Sequence, residues 1–150
     1  MKKIEPVKII VILMILVTAM VAAFYLTTRP AVPKGALSIE SGGQTVELPL
    51  KELNMTNVQG TVVNGKGEER TIEAEGILLS EVLLKAGIQD FSEVTVTADD
   101  AYSAVVTAEE IAAPDTVYLI RQDKGGMQLI VFGDMNSKRN VSDVKRLSVR

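Results

Sequence analysis

The chain has 150 residues, 47% of them hydrophobic, with 16 basic and 19 acidic side chains and a formal net charge of -3 at pH 7. It contains no Cys, His or Trp, which excludes Ser-His-Asp and Cys-His catalysis, zinc sites built on soft ligands, and disulfides. Haem and iron–sulfur centres bound by its own side chains are excluded for the same reason. The length allows one ordinary domain.

The N-terminal region has the pattern of a membrane anchor. Residues 9–26 form an apolar run interrupted only by Thr18, and Lys2, Lys3 and Lys8 precede it. Such a run is close to the minimum that spans a bilayer, and the flanking lysines place the N-terminus in the cytoplasm. We therefore expect a cytoplasmic segment (1–8), a transmembrane helix (9–26), a linker (27–35) and an extracytoplasmic domain (36–150).

A cleaved signal peptide is the alternative interpretation, because Val21-Ala22-Ala23 provides small residues where a peptidase cuts. The apolar run is longer than the core of a usual signal peptide, which favours a retained anchor. The domain lies outside the cytoplasm in either case, and is secreted if the signal is cleaved.

From Ala36 onward the hydrophobic pattern alternates, which predicts strands joined by short polar turns. One amphipathic helix is predicted where Leu79, Val82, Leu83 and Ala86 recur at helical spacing before Gly87. We also expect the apolar segment Leu129–Phe132 to be a central strand, followed by a polar loop from Asp134 to Asp143. The predicted fold class is a strand-rich α+β domain with a mixed sheet. The predicted strands and short helices are 36–39, 45–48, a helical turn at 50–53, 58–63, 70–74, 94–97, 102–107, a helix at 108–111, 116–121, 129–132 and 144–149.

The charge is unevenly distributed. The 120 residues after Pro30 hold 12 basic and 18 acidic side chains, so the domain lacks the basic footprint that nucleic-acid binding needs. Its one basic cluster is Lys138-Arg139 with Lys145-Arg146. Such a cluster suits a phosphate or another small anion. The alternative is a solvated loop, with or without anionic lipid beside it.

The order of the motifs resembles the oxidoreductase molybdopterin-binding domain of the sulfite oxidase family. Gly76–Gly87 is similar to its "Gly-x-Pro-Leu-x-x-Leu-Leu-x-x-Ala-Gly" segment, and Val94–Ser103 to its strand followed by Asp-Gly-Tyr. Leu119-Ile120 with Gly125-Gly126 resembles its "Leu-Ala-Tyr…Asn-Gly". Leu129–Gly133 and Val144–Val149 are similar to its C-terminal "Leu-x-Leu-Val-Val-Pro-Gly…Val-Lys-Trp-Leu-x-x-Ile" pattern. The resemblance covers about residues 58–150.

The chain also departs from this family. Leu78, Ala101 and Arg146 stand where the family pattern has Pro, Gly and Trp, and the cysteine that binds molybdenum has no counterpart. The family's larger N-terminal half, with further pterin-binding residues, is missing as well. The resemblance therefore implies the fold, and implies molybdopterin as a possible cofactor only. The anion-binding loop of the family maps to Asn136, Ser137, Lys138, Arg139 and Lys145.

A second candidate site is the turn at Asp99-Asp100, beside Tyr102. Paired carboxylates there could bind a ligand or the edge of a metal site, although acidic turns between strands are common because Asp caps its own backbone. Tyr102 is more simply interpreted as a packed ring with a hydrogen-bonded hydroxyl. We identify no catalytic residue and no metal ligand set.

Two functions follow from these patterns. The first is a non-catalytic binding module that kept the fold and lost the cofactor, and that recognises a small anionic ligand, a peptide or another envelope protein. The second is a pterin-cofactor-binding component of an oxidoreductase system in the cell envelope. The lack of Cys and His favours the first, and the motif order motivates the second.

Overall fold

The computed structural model describes residues 6–28, 32–135 and 137–150. The chain divides into two compact units, Met1–Ala31 and Val32–Arg150, and each is described by itself. The candidate residue Asn136 lies outside the described residues, and only the backbone of Ser137 is described.

The first unit contains the helix α1 (Pro6–Thr28). Its side chains are described for residues 10–24, and all of these are exposed. The hydroxyl of Thr18 donates a hydrogen bond to the carbonyl of Met14 at 2.8 Å, so the helix satisfies its own polar side chain. No helix within the described residues combines the length and the apolarity needed to cross a membrane. The membrane anchor stays a prediction.

The second unit is a strand-rich α+β domain with two sheets, as the alternating sequence pattern predicted. One sheet has five strands in the order β2-β1-β9-β5-β6, and the other has four in the order β3-β4-β7-β8. The strands are β1 (Ala36–Ser41), β2 (Gln44–Pro49), β3 (Thr56–Val63), β4 (Glu69–Leu78), β5 (Glu93–Ala98), β6 (Ser103–Thr107), β7 (Val117–Arg121), β8 (Met127–Val131) and β9 (Val144–Val149). The helices are α2 (Leu79–Lys85) and α3 (Ala108–Ala112), with 3-10 turns at Leu50–Glu52 and Ser137–Arg139.

The five-stranded sheet is mixed, because β1 runs parallel to β9 while its other pairs are antiparallel. Its inner face supplies Leu37, Ile39, Val94, Val96 and Leu147 to the main core. The four-stranded sheet covers this core from the other side with Leu119 and Leu129. In β5 and β6 buried residues alternate with more exposed ones, as the alternating sequence pattern predicted.

The predicted helix is α2, and its three buried residues are Leu79, Val82 and Leu83. After α2, the N–H of Gly87 donates to the carbonyl of Leu84, and the N–H of Ile88 donates to the carbonyl of Leu83, both at 2.9 Å. This pair of hydrogen bonds is the Schellman arrangement that ends many helices. The prediction of a helix that ends at Gly87 is confirmed.

The four-stranded sheet curls until its two ends meet. The N–H of Gly133, just after β8, donates to the carbonyl of Thr61 in β3 at 3.2 Å, although β3 and β8 are the outermost strands of the sheet. The curl encloses a second core, separate from the first, that contains Val58, Val62, Tyr118, Ile120 and Ile130. A single sheet thus buries apolar side chains on both of its faces.

The prediction that Leu129–Phe132 is a central strand was wrong, because β8 lies at the edge of the four-stranded sheet. Its residues are apolar for another reason: the two cores bury its two faces, and the following loop covers its open edge. The N–H of Leu129 donates to the carbonyl of Val141 at 2.8 Å, and the Val141 side chain is fully buried. The segment predicted to be a polar loop therefore contributes a residue to the main core.

The curl requires a residue without a side chain at position 60. An added Cβ at Gly60 would lie 2.4 Å from a ring carbon of Phe132, which is far inside van der Waals contact. Phe132 also packs against Tyr118, with ring centroids 5.5 Å apart. The Phe132 ring thus closes the curled sheet over the glycine.

We expect Gly60→Ala to destabilise the domain by about 1–3 kcal/mol, because the new methyl group displaces the Phe132 ring. In a Phe132→Ala background the same substitution should cost much less, since the clash is gone. Urea denaturation of the full chain in detergent, followed by circular dichroism, measures both effects. Gln59→Ala on the exposed face of β3 is the control. If the destabilisations by Gly60→Ala and Phe132→Ala simply add in the double variant, the contact between positions 60 and 132 is contradicted.

Candidate functional site

The Asp99-Asp100 turn joins β5 to β6 and is held by its own hydrogen bonds. The carboxylate of Asp100 accepts from the N–H of Tyr102 at 3.0 Å, and the N–H of Ala98 donates to the carbonyl of Tyr102 at 2.8 Å. Ala101 has a φ of 69°, a left-handed conformation that costs a residue with a Cβ roughly 1–2 kcal/mol. The turn is therefore a fixed and locally strained feature.

Two contacts bring this turn to the loop that follows β8. The hydroxyl of Tyr102 donates to the backbone carbonyl of Lys138, and the N–H of Asp99 donates to the carbonyl of Asp143 at 3.0 Å. The Tyr102 ring remains 47% exposed. The two candidate sites predicted from the sequence are thus neighbours in the fold, and Tyr102 links them.

Arg139 is held between two carboxylates. Its Nε lies 2.6 Å from Asp134 Oδ2, and its Nη1 lies 2.6 Å from Glu110 Oε1. Glu110 also caps α3 through a reciprocal capping box with Thr107. The positive charge of Arg139 is therefore balanced within the domain, and its fork fixes the loop to the start of α3.

We call Arg139 with Glu110 and Asp134 the Arg139 clamp. The pKa values of Glu110 and Arg139 reflect its contacts. Burial alone raises the pKa of Glu110, but the hydrogen bonds from the backbone of Thr107 and from Arg139, with the guanidinium charge, lower it below its ordinary value of 4.5. The hydrogen bond to Asp134 is the main cause that raises the pKa of Arg139, with Glu110 adding to it against the effect of burial. Glu110 and Arg139 are therefore both charged at neutral pH.

Two other basic candidates lie apart from this clamp. Lys138 is exposed in the 3-10 turn, and Lys145 is half-buried in β9. The neighbouring Arg146 has its Nε 3.0 Å from Glu40 Oε1, across the parallel pair β9 and β1. The two arginines of the basic cluster therefore lie beside different carboxylates in the fold.

The turn and the loop enclose an open cleft with a volume of 420 Å³, which we call the turn cleft. Its wall includes Asp143, whose φ is 52°. Most of its lining residues carry polar side chains, and three of these are carboxylates. The lining residues are Ala98, Asp99, Asp100, Tyr102, Asn140, Ser142 and Asp143.

Asn140, Ser142 and Asp143 were not predicted as site residues. Asn140-Val141-Ser142 fits a glycosylation sequon, but no local pattern places these residues in a cleft, which they reach through the long-range contact between Asp99 and Asp143. Glu110 was detectable, since Thr107-x-x-Glu110 has the spacing of a capping box. Within the described ranges, no group of three or more His, Cys, Asp or Glu side chains could hold a metal ion.

A second concavity shares the lining residues Ser142 and Asp143 with the turn cleft. It has a volume of 750 Å³ and is bounded by β4, the end of β7 and the turn between β7 and β8; we call it the β4 groove. The amide oxygen of Gln122 accepts from the N–H of Asp143 at 3.2 Å, which fixes the shared wall to the β7–β8 turn. Ser142 and Asp143 therefore line both concavities.

The comparisons with known proteins give no family for this chain. No family model matches it, and no curated protein matches it significantly.

We expect Arg139→Gln to destabilise the domain by roughly 1–3 kcal/mol at neutral pH, because two charge-assisted hydrogen bonds are lost. A carboxyl group with a lowered pKa stabilises the fold above its unfolded pKa, and that contribution is lost as the pH falls through the folded pKa. The wild-type domain should therefore lose stability below about pH 4.5, as Glu110 becomes protonated. Arg139→Gln should lose less stability over the same pH range, because Glu110 no longer has the guanidinium as its partner. Urea denaturation at several pH values measures the difference.

Arg121→Gln is the matched control for this prediction. Arg121 pairs with Glu75 at 3.2 Å, but both side chains are more than half exposed, so its loss should cost less than about 1 kcal/mol. Equal destabilisation by the two variants, or an unchanged acid profile in Arg139→Gln, would contradict the structural role of the clamp.

Proposed function

We propose that the chain is a membrane-anchored, non-catalytic binding module whose domain lies outside the cytoplasm and recognises a polypeptide partner. The observation that carries this proposal is the meeting of the turn cleft and the β4 groove at Ser142 and Asp143. Both concavities are open and most of their lining residues are polar, whereas small-molecule pockets are mostly apolar and bury most of their ligand. The rim of a protein–protein interface is polar and stays accessible to solvent, so an open surface of this kind is compatible with contact with another protein.

Hydrogen bonds hold this surface in shape before any partner arrives. The Tyr102 hydroxyl, the Asp99 N–H and the Gln122 side chain each bind the backbone of the segment from Lys138 to Asp143. A surface that is already ordered loses little conformational entropy on binding. The rigidity supports recognition as its role.

The N-terminal sequence supports the anchor. Residues 9–26 are apolar apart from Thr18, three lysines precede them, and α1 continues from Pro6 to Thr28. The lysines favour a cytoplasmic N-terminus, which puts the domain on the other side of the membrane.

We also propose that the domain is of the molybdopterin-binding type found in the sulfite oxidase family. Ala101 stands where the family pattern has Gly, and its positive φ is the conformation that Gly adopts without strain. At Gly76, the first residue of the helix-entry motif, an added Cβ would lie 3.0 Å from Ile120 and Val58. Both positions therefore have a physical reason to be Gly in a common fold.

The residues present do not fit the cofactor of that family. The chain has no cysteine thiolate for molybdenum, and the guanidinium of Arg139 is already balanced by Glu110 and Asp134. The adjoining cleft carries Asp99, Asp100 and Asp143, whose charges repel a phosphate. These features favour the binding module over the pterin-binding component of an oxidoreductase.

The anchor is tested by extracting membranes of expressing cells with alkaline carbonate. We expect the full chain to stay in the membrane pellet, because a spanning helix is not released by pH or salt. A variant in which Val17 and Val21 are both replaced by Lys should move to the soluble fraction, since each charge is costly within a bilayer. Release of the unmodified chain would contradict the anchor.

The binding role is tested with a photo-crosslinking amino acid placed at Asp100 of the full chain in cells of its source. We expect a discrete protein adduct, because the exposed Asp100 side chain lines the turn cleft. Val46 is the matched control position: it is also exposed, but it lies on β2, at the opposite edge of the five-stranded sheet from β6.

Equal adducts at the two positions, or none at Asp100, would contradict the proposal. Stoichiometric molybdenum or pterin in the chain purified from a host that makes molybdopterin would overturn it in favour of the cofactor-binding function.

A further inference from the structure

The β4 groove begins where β4 separates from β7. The two strands are paired only from Gly76 to Leu78 of β4, opposite Tyr118 to Ile120 of β7. β4 itself is longer, and it stays paired with β3 from Glu69 to Gly76. The sheet therefore forks at Gly76, with the β3–β4 pair on one side and the β7–β8 pair on the other.

The direction of the β4 backbone groups follows from two hydrogen bonds. The N–H of Asn64 donates to the carbonyl of Glu68, and the carbonyl of Thr61 points away from β4 to accept from Gly133. In an antiparallel pair, residues alternate between those bonded to the partner and those directed away from it. Even-numbered residues of β4 thus bond to β3, while Thr71 and Glu73 direct their N–H and C=O groups into the fork.

These outward groups form a free strand edge. In the part of the chain that the structure describes, no hydrogen bond is made by the backbone N–H or C=O of Thr71 or Glu73. Both residues are exposed and both line the β4 groove. The opposite wall presents the polar side chains of Arg121, Gln122 and Lys124.

We propose that an extended segment of a partner protein binds in the β4 groove by adding a strand to β4 at Thr71 and Glu73. This inference rests on the proposed function and names how the partner is held. Strand addition uses backbone hydrogen bonds for affinity and the groove side chains for selection. Cations and carboxylates both line the groove, so the segment that fits is polar and of mixed charge.

A single strand fits the fork better than a second copy of this chain. The groove narrows toward Gly76, where β4 and β7 come together, and a second copy would bring a complete β3–β4 hairpin. Two-fold pairing of β4 with itself also opposes like charges. A two-fold axis at Thr71 places Glu69 of one copy opposite Glu73 of the other. An axis at Ile72 places Glu69 opposite Glu75, and an axis at Glu73 places Glu73 opposite itself.

The free edge is tested first by amide hydrogen exchange of the full chain in detergent micelles. We expect the N–H groups of Thr71 and Glu73 to exchange faster than those of Ile72 and Ala74, which bond to β3. Equal protection of all four amides would overturn the assignment of the edge. Protection of Thr71 and Glu73 that appears only as the protein concentration rises would identify a second copy as the occupant and overturn the proposal.

The binding is tested with phage-displayed random peptides selected on the full chain. Glu73→Pro removes the outward N–H and leaves the ladder with β3 intact, because proline is tolerated at such an edge position. We expect the selected peptides to bind Glu73→Pro roughly tenfold more weakly. Glu73→Ala, which keeps the N–H, should change their binding much less, and bound peptide should slow exchange at Thr71 and Glu73.

Two outcomes would overturn the strand addition: no peptide enriched over a selection without the protein, or equal binding to Glu73→Pro and the wild type. Unchanged exchange of the Ile72 amide in Glu73→Pro verifies that the hairpin still folds. If position 100 still crosslinks a partner in cells while Glu73→Pro has no effect on peptide binding, only the strand addition in the β4 groove is overturned. If position 100 gives no adduct and Glu73→Pro has no effect, the proposed binding function is overturned as well.

Discussion

The arrangement of both concavities depends on the burial of Val141. This side chain packs in the main core, and its carbonyl accepts the N–H of Leu129 from the open edge of β8. An unpaired buried edge would leave costly unsatisfied backbone groups, so the loop has to lie against β8. Ser142 and Asp143 follow directly, and they are therefore fixed between the turn cleft and the β4 groove. A hydrophobic contact thus sets the position of a polar surface.

A second constraint is that the four-stranded sheet buries both of its faces. One face covers the main core, and the other curls around Tyr118, Ile120 and Ile130. Because β4 pairs with β7 at one end and follows the curl at the other, the two strands must separate. The β4 groove is the geometric result of this separation. The same curl that encloses the second core leaves Thr71 and Glu73 without a neighbouring strand.

Sequence reasoning succeeded where the signal is local. Strand alternation, the helix at Leu79–Lys85 and its end at Gly87 depend on residues a few positions apart, and the structure agrees with them. It failed for β8, since an apolar strand at a covered edge has the same sequence pattern as a central one. It also could not show that Arg139 faces Glu110, which is 29 positions away. Side-chain pairing across such distances depends on the sheet order, which one sequence does not reveal.

The pairing of charges in the fold changes the kind of partner that we propose for the domain. Counted along the sequence, the segment from Asp134 to Arg150 has a surplus of positive charge and favours an anion. In the fold, Arg139 is paired with Glu110 and Asp134, and Arg146 lies beside Glu40. The carboxylates of Asp99, Asp100 and Asp143 instead line the adjoining cleft. An anion in this cleft would meet these carboxylates, while the guanidinium of Arg139 is already balanced by Glu110 and Asp134. The recognition that we propose is therefore based on shape and backbone hydrogen bonds rather than on attraction of an anion.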